Sequence, residues 1–288
     1  MDFDPRDLDS RDRETPDTHD LRDVFSRGLE LPRGADREIV RDRDHEYSLR
    51  GSETRTLSTV GAFRVVPASR LRDHSGAPAD PRSGDLRNLR EQGLVETVRI
   101  PGRRDQAVIL TKQGRELLER HRDPEHNGRQ TFYAGLKRTR ELEHDSRVYD
   151  AYLDAADRLH DHGGRIDRVV LDYELKRDYQ KWLHEHDGGR DDYDGHPDRD
   201  EDEIRAWAHD HDLPYFDDQL HFPDVRIEYE DRDGRCDHED IEVVTIHYRG
   251  AHGSAAARSG FSCYTAGSAR TGGGGRSPDP HLAEELLR

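Results

Sequence analysis

Only two cysteines, Cys236 and Cys263, occur in the 288 residues, and their number and spacing exclude a disulfide framework and a cysteine zinc site. Long apolar runs are also missing: no stretch approaches the roughly 18 consecutive apolar residues of a membrane-spanning helix. The acidic N-terminus lacks the basic-then-apolar layout of an export signal, so the expectation is a soluble, cytoplasmic protein with no membrane partner. Apolar residues reach 31% against 38% charged ones, and mean hydropathy is -1.13, so any core is thin.

Several familiar chemistries are excluded by what their motifs lack. No Gly-x-Ser-x-Gly elbow accompanies His144 and Asp145, which removes a serine-hydrolase reading. Gly272 to Gly275 lacks the Lys-Ser or Lys-Thr ending of a phosphate loop. The histidines of His184-Glu185-His186 and His209-Asp210-His211 stand two apart, so neither pair shares a helix face as a zinc pair does.

Charge is plentiful and unevenly distributed. The formal net charge is -17, yet Gly51 to Arg122 carries 14 Lys plus Arg against 9 Asp plus Glu, leaving -22 for the rest. A module of net +5 inside an acidic chain can bind nucleic-acid phosphate locally while the remainder discourages non-specific coating of a duplex. On that reasoning, removing residues 1–50 tightens binding to random DNA.

The basic segment has an ordered layout. Helix patterns cover Glu53 to Arg64 and Ala68 to His74, with a break at Val66-Pro67. Asp80 to Gly93 reads as a short helix, with Asp80 as N-cap, Pro81 in the first turn and Gly93 as a left-handed stop. Leu86 and Leu89 share one face, which leaves Ser83, Gly84, Arg87, Asn88 and Glu91 on the other. Strands follow over 94–100 and 106–110 around a turn carrying Arg103 and Arg104, and Lys112 to Arg120 closes the unit as a helix.

Through Leu89-Arg90-Glu91-Gln92-Gly93-Leu94-Val95, the Arg103-Arg104-Asp105 tip and Leu110-Thr111-Lys112-Gln113-Gly114, this segment resembles the winged helix-turn-helix of MarR- and PadR-type regulators. The resemblance implies double-stranded DNA as partner. Arg82, Ser83, Arg87 and Asn88 would lie in the major groove, and Arg103 and Arg104 would touch the backbone or minor groove. Such domains often dimerise, although no sustained heptad pattern argues for a homodimer here.

Downstream of a polar joint at 123–128, a long helix is expected over 145–162, a strand over 165–171, and helices over 174–184 and 203–212. An acidic Gly-containing loop fills 187–203, and a hairpin pairs Asp224–Glu230 with Asp240–Thr245. Trp182 and Trp207 read as core. A small helix over 250–259 and a Gly-rich linker and tail over 266–288 complete the chain. The sequence thus predicts an α+β or α/β chain: a disordered acidic tail (1–20), a leader supplying one helix (21–50), a DNA-binding unit (51–122), a small α/β domain (132–265) and the tail.

Pro223-Asp224 opens one hairpin strand and Glu242 lies in its partner, with Glu174 upstream, an oxygen set of the kind Mg²⁺ uses in phosphodiester chemistry. With Leu142-Glu143-His144-Asp145, Glu174-Leu175, Ile241-Glu242-Val243-Val244, Arg258 and Tyr264, this part resembles a restriction-endonuclease-like core. More narrowly, the chain is similar to the replication-relaxation family of actinobacterial and other mobile elements. The resemblance implies catalytic positions at Glu174, Asp224, Glu242 and Arg258, with Asp224 and Glu242 as metal ligands. However, Val244 stands where the core's lysine belongs, and Arg258, which stays protonated, cannot replace it as a base. The expectation is therefore a DNA-binding protein with an inactive nuclease-like domain, without cofactor, serving transcriptional regulation or mobile-element maintenance. A Mg²⁺-dependent DNA nuclease using Glu174, Asp224 and Glu242 is the alternative reading, and a structural interaction protein a third.

Overall fold

The computed structural model describes residues 20–123, 130–136, 141–185, 199–244 and 258–264, with the backbone of 270–272. Residues 1–19, most of the acidic loop, most of the helix expected over 250–259 and the C-terminal tail lie outside the described residues. The architecture is mixed α+β.

The supposed leader is part of the fold. It forms α1 (Asp23–Ser26) and an antiparallel hairpin of β1 (Glu38–Asp42) and β2 (His45–Leu49), with Val40 opposite Tyr47. Val40, Tyr47 and Leu49 turn inward, whereas Glu38, Arg41, His45 and Glu46 face solvent.

α2 (Gly51–Phe63), β3 (Val66–Pro67), a 3₁₀ turn over Ala68–Arg70, α3 (Gly84–Glu91), β4 (Val95–Arg99), β5 (Gln106–Leu110) and α4 (Lys112–Arg120) follow. The strands make an antiparallel sheet in the order β3-β5-β4, so the expected break at Val66-Pro67 is an edge strand, where a proline costs no ladder hydrogen bond. The helix expected over 68–74 stops after one turn, because the Asp73 side chain accepts the Ser75 and Ala77 N–H groups and folds the chain back. α3 starts three residues later than expected, with Ser83 rather than Asp80 at its N-cap. Asp80 bonds the Arg82 N–H at 2.9 Å and so holds a turn, and Gly84 enters the helix at φ 59, a conformation costly for any other residue. Gly93, at φ 72, is the expected stop.

The second region contains α5 (Leu142–Asp161), β6 (Arg165–Leu171), α6 (Asp172–Leu183), α7 (Glu201–Asp210), the small hairpin β7 (Tyr215–Phe216) and β8 (Gln219–Leu220), β9 (Val225–Glu230), β10 (Cys236–Val243), β11 (Ser262–Tyr264) and β12 (Arg270–Gly272). Five strands form one sheet in the order β12-β11-β10-β9-β6, antiparallel except for the parallel β10–β11 pair. β12 falls where linker was expected: its backbone pairs with β11 as an edge.

α5 joins the two regions. Val148, Tyr152, Ala155, Ala156 and Leu159 are buried on the expected stripe, in one core with Val225, Ile227, Ile241 and Val243 of the sheet. Tyr149 and Tyr152 also pack against Phe63 of α2, with ring centroids 4.9 and 4.7 Å apart, and Phe25 of α1 lies 5.4 Å from Phe63. Each such aromatic contact contributes about 0.5–1.5 kcal/mol beyond simple burial. The regions expected as separate domains therefore share one apolar core. On the opposite sheet face Val170, Leu175, Trp207 and Leu213 pack with Tyr179 and Trp182, so both tryptophans serve as core.

Candidate functional site

Two groups of side chains stand out, one on α3 and one where α5, α6 and the large sheet meet. Leu86 and Leu89 are fully buried beneath α3, and Asp85 is a third, polar anchor. It accepts hydrogen bonds from Ser52 Oγ of α2 at 2.6 Å and from the His74 backbone at 2.7 Å, and meets the His74 ring at 2.9 Å. The helix is thereby fixed against α2 and the loop before it. Arg82, Ser83, Arg87 and Arg90 remain exposed on the other side. Arg87 contacts Glu91 at 2.6 Å, but both side chains are more than half exposed, and an i,i+4 pair of this kind is worth only about 0.3–0.5 kcal/mol.

Asn88 behaves differently from its neighbours. It is half-buried, and its amide donates to the Ser48 carbonyl at 3.1 Å and to Glu53 Oε1 at 2.9 Å. Glu53 has no exposed surface; burial pushes its carboxyl up, while the hydrogen bonds from Arg37 and Asn88 work the other way. Asn88 thus ties α3 to the β1–β2 hairpin, so its amide, expected among the base-reading side chains, is engaged within the protein. At the β4–β5 turn, Arg103 lies 3.8 Å from Asp150 of α5, which Arg70 also meets at 2.7 Å. Only Arg104 of the two expected tip arginines is exposed.

The second group gathers on Asp224, immediately before β9. Its Oδ2 accepts the Val243 N–H at 2.8 Å and stands 3.2 Å from His144 Nε2; the other ring nitrogen is 3.5 Å from Asp145. Asp145 in turn lies 3.4 Å from Arg64, which ends α2 in a left-handed conformation (φ 64), buried and stacked 4.1 Å over the Tyr173 ring. Burial works against a charged ring at His144, but hydrogen bonds to Asp145 and Asp224 outweigh it and push the imidazole up to about 11, so it stays protonated at neutral pH. Lys176 of α6 donates to Asp172 at 2.7 Å. Burial pulls its ammonium down, yet Asp172, Asp224 and Glu242 together hold it above its ordinary value. A cavity of about 200 Å³ opens here, lined by Arg64, His144, Asp145, Asp172, Tyr173 and Asp224 among others.

Of the four expected catalytic positions, the structure brings Asp224 and Glu242 to one end of β9 and β10, where the Asp224 N–H bonds the Ile241 carbonyl. Glu174 and Arg258 go elsewhere. α6 begins at Asp172, two residues before the expected start, so Asp172 and Lys176 share the cluster side and Glu174 sits roughly 200° round the helix. Glu174 contacts Tyr133 and Arg168, each at 3.3 Å. Arg258 pairs with Asp217 and stacks 4.2 Å over Phe216. Besides His144, the cation whose charge Asp224 and Glu242 favour is Lys176, not Arg258. Its i,i+4 spacing from Asp172 was visible in the sequence, whereas His144, though part of the Leu142-Glu143-His144-Asp145 motif, lies 80 residues from Asp224, and nothing local announced that pairing.

Mg²⁺ needs converging carboxylate oxygens with room for water. The carboxylates as arranged do not fit such an ion: Asp224 Oδ2 is occupied by Val243 and His144, and Glu174 is turned away. Among the described residues no three His, Cys, Asp or Glu side chains form a metal-holding group. Nor is any helix of the described residues long and apolar enough to cross a membrane.

The chain matches no protein-family model, and no curated protein or solved structure is significantly similar to it.

Proposed function

We propose that the chain is a double-stranded-DNA-binding protein of the winged-helix type, acting in transcriptional regulation or in the maintenance of a mobile element. The observation that carries this reading is α3: it buries Leu86, Leu89 and Asp85 and leaves Arg82, Ser83, Arg87 and Arg90 in solvent. The helix–strand–turn–helix–hairpin order, the β3-β5-β4 sheet and the local excess of basic residues support the same reading. Arg104 and the exposed Arg99 would add phosphate contacts from the β4–β5 hairpin. Asn88 and Arg103 have structural duties instead.

In this reading the second region is a nuclease-like scaffold whose carboxylates are neutralised by His144, Lys176 and Arg64. The test is titration of the full chain into labelled duplexes without divalent ions. Binding that weakens steeply with salt, and loses sequence discrimination in Arg87→Ala, supports the assignment. Equal loss on specific and random duplexes would remove Arg87 from base reading.

One observation favours a Mg²⁺-dependent nuclease: Lys176 supplies, from α6, the cation that Val244 lacks. That alternative requires His144 to release Asp224. It predicts nicking of supercoiled plasmid in Mg²⁺ or Mn²⁺, abolished by Asp224→Ala and by Lys176→Ala.

A further inference from the structure

A second cavity, of about 740 Å³, opens on the α2 side of α5, between the chain entering α1, the loop before β1, the first turn of α2 and the loop leading to α3. Its walls carry five arginines, Arg22, Arg33, Arg55, Arg70 and Arg72, against three carboxylates, Asp20, Asp73 and Asp157. Three of these arginines are committed. Arg22 and Arg55 pair with Asp20 and Asp23, and Arg70 with Asp150. Two are not: among the described residues Arg33 donates only to the carbonyls of Arg27 and Leu29, and Arg72 only to that of Ser69, at a long 3.5 Å. Among the described residues neither faces a carboxylate within ion-pair distance. Asp20 is taken up by Arg22 and Arg55; Asp73, held below the usual range by its own turn, stays ionised, and among the described residues neither it nor Asp157 is within ion-pair distance of Arg33 or Arg72.

A concave site with two guanidiniums outside any ion pair among the described residues can bind phosphate, because the planar fork matches phosphate oxygens two at a time. The volume falls within the roughly 300–1,000 Å³ of small-molecule sites, and Tyr149 and Leu153 supply an apolar side to the wall. The wall also reaches α3: Ser52 and His74 line the cavity and are the same side chains that hold Asp85 in the first turn of that helix.

We propose that this cavity is a phosphate-binding site, filled by a free phosphate-bearing small molecule or by the backbone of bound DNA, and that its occupancy acts on α3 through Ser52, His74 and Asp85. The effect on α3 rests on the DNA-binding reading; the phosphate site itself does not.

Tripolyphosphate titrated into the full chain by calorimetry at low salt, alongside a short duplex followed by anisotropy, separates the two sources. Saturable tripolyphosphate binding that falls at least about tenfold in Arg33→Ala/Arg72→Ala, and returns partly in the Arg33→Lys/Arg72→Lys pair, supports the site and a free ligand. Loss of duplex binding in the same alanine variant, without saturable tripolyphosphate binding, supports the site with DNA as the source. Arg87→Ala serves as the control: it weakens duplex binding and leaves tripolyphosphate binding unchanged. If tripolyphosphate binds and no duplex does, the site stands and the DNA reading falls. If both ligands bind the alanine variant as they bind the parent chain, with the melting curve showing that the variant is folded, the site is overturned.

Discussion

The two regions of this chain treat charge in opposite ways. On α3 the arginines are solvent-exposed, and the pair Arg87 makes is a weak surface one. At the junction of α5, α6 and the large sheet, each carboxylate of the cluster faces a cation of the protein: Asp224 meets His144, Asp172 meets Lys176, and Asp145 meets Arg64. An exposed arginine gives up little on meeting a phosphate, whereas a carboxylate already held by two N–H groups must break those contacts before it can serve a metal. Net charge, at -17, averages over these two regions and hides the difference in exposure and pairing between them.

The comparison breaks most visibly through the core the regions share. Phe63→Ala removes a ring packed against Phe25, Tyr149 and Tyr152 and should cost about 3–5 kcal/mol of stability. Urea unfolding followed by Trp182 and Trp207 fluorescence should shift along with amide exchange in α3; movement of the α3 signal alone would mean that the regions unfold independently. Arg87→Ala should cost about 1–3 kcal/mol on a preferred duplex with little change in melting temperature. Asp224→Ala should do the reverse, costing about 1–2 kcal/mol in a thermal melt, because it strands a partly buried imidazolium, while duplex binding is retained. Asn88→Ala sharpens the contrast within α3 itself: about 1 kcal/mol of stability is lost with no change in sequence preference.

His144 adds a dependence on pH. His144 is pushed up to about 11 in the fold from an ordinary value near 6.5, so its contribution is complete below about pH 6.5 and is lost as pH rises toward 11. Urea midpoints measured across that range should decline, and the decline should flatten in His144→Gln.

Much of this was legible from local pattern. β6 follows the apolar residues Ile166, Val169, Val170 and Leu171, and the β9–β10 hairpin its turn at Asp233-Gly234. The β1–β2 hairpin was not, because Glu38, Arg41, His45 and Glu46 swamp the few inward residues. Its packing also changes a test: Phe25, Leu29, Tyr47 and Leu49 lie in the shared core, so deletion of residues 1–50 would damage the fold, and the influence of the acidic N-terminus on random DNA must be measured by removing residues 1–19 alone. In the cluster, strand register delivers Asp224 and Glu242, which sequence could anticipate. The helix start that selects Asp172 and Lys176 over Glu174, and the crossing of α5 that brings His144 across, are set by tertiary packing.

Whether α3 reads duplex DNA is decided by anisotropy titration of the full chain into a duplex library at low and moderate salt, without divalent ions, for the parent chain and Arg87→Ala. The expected result is salt-sensitive binding with a sequence preference that Arg87→Ala relaxes. Absence of binding at low salt would contradict it.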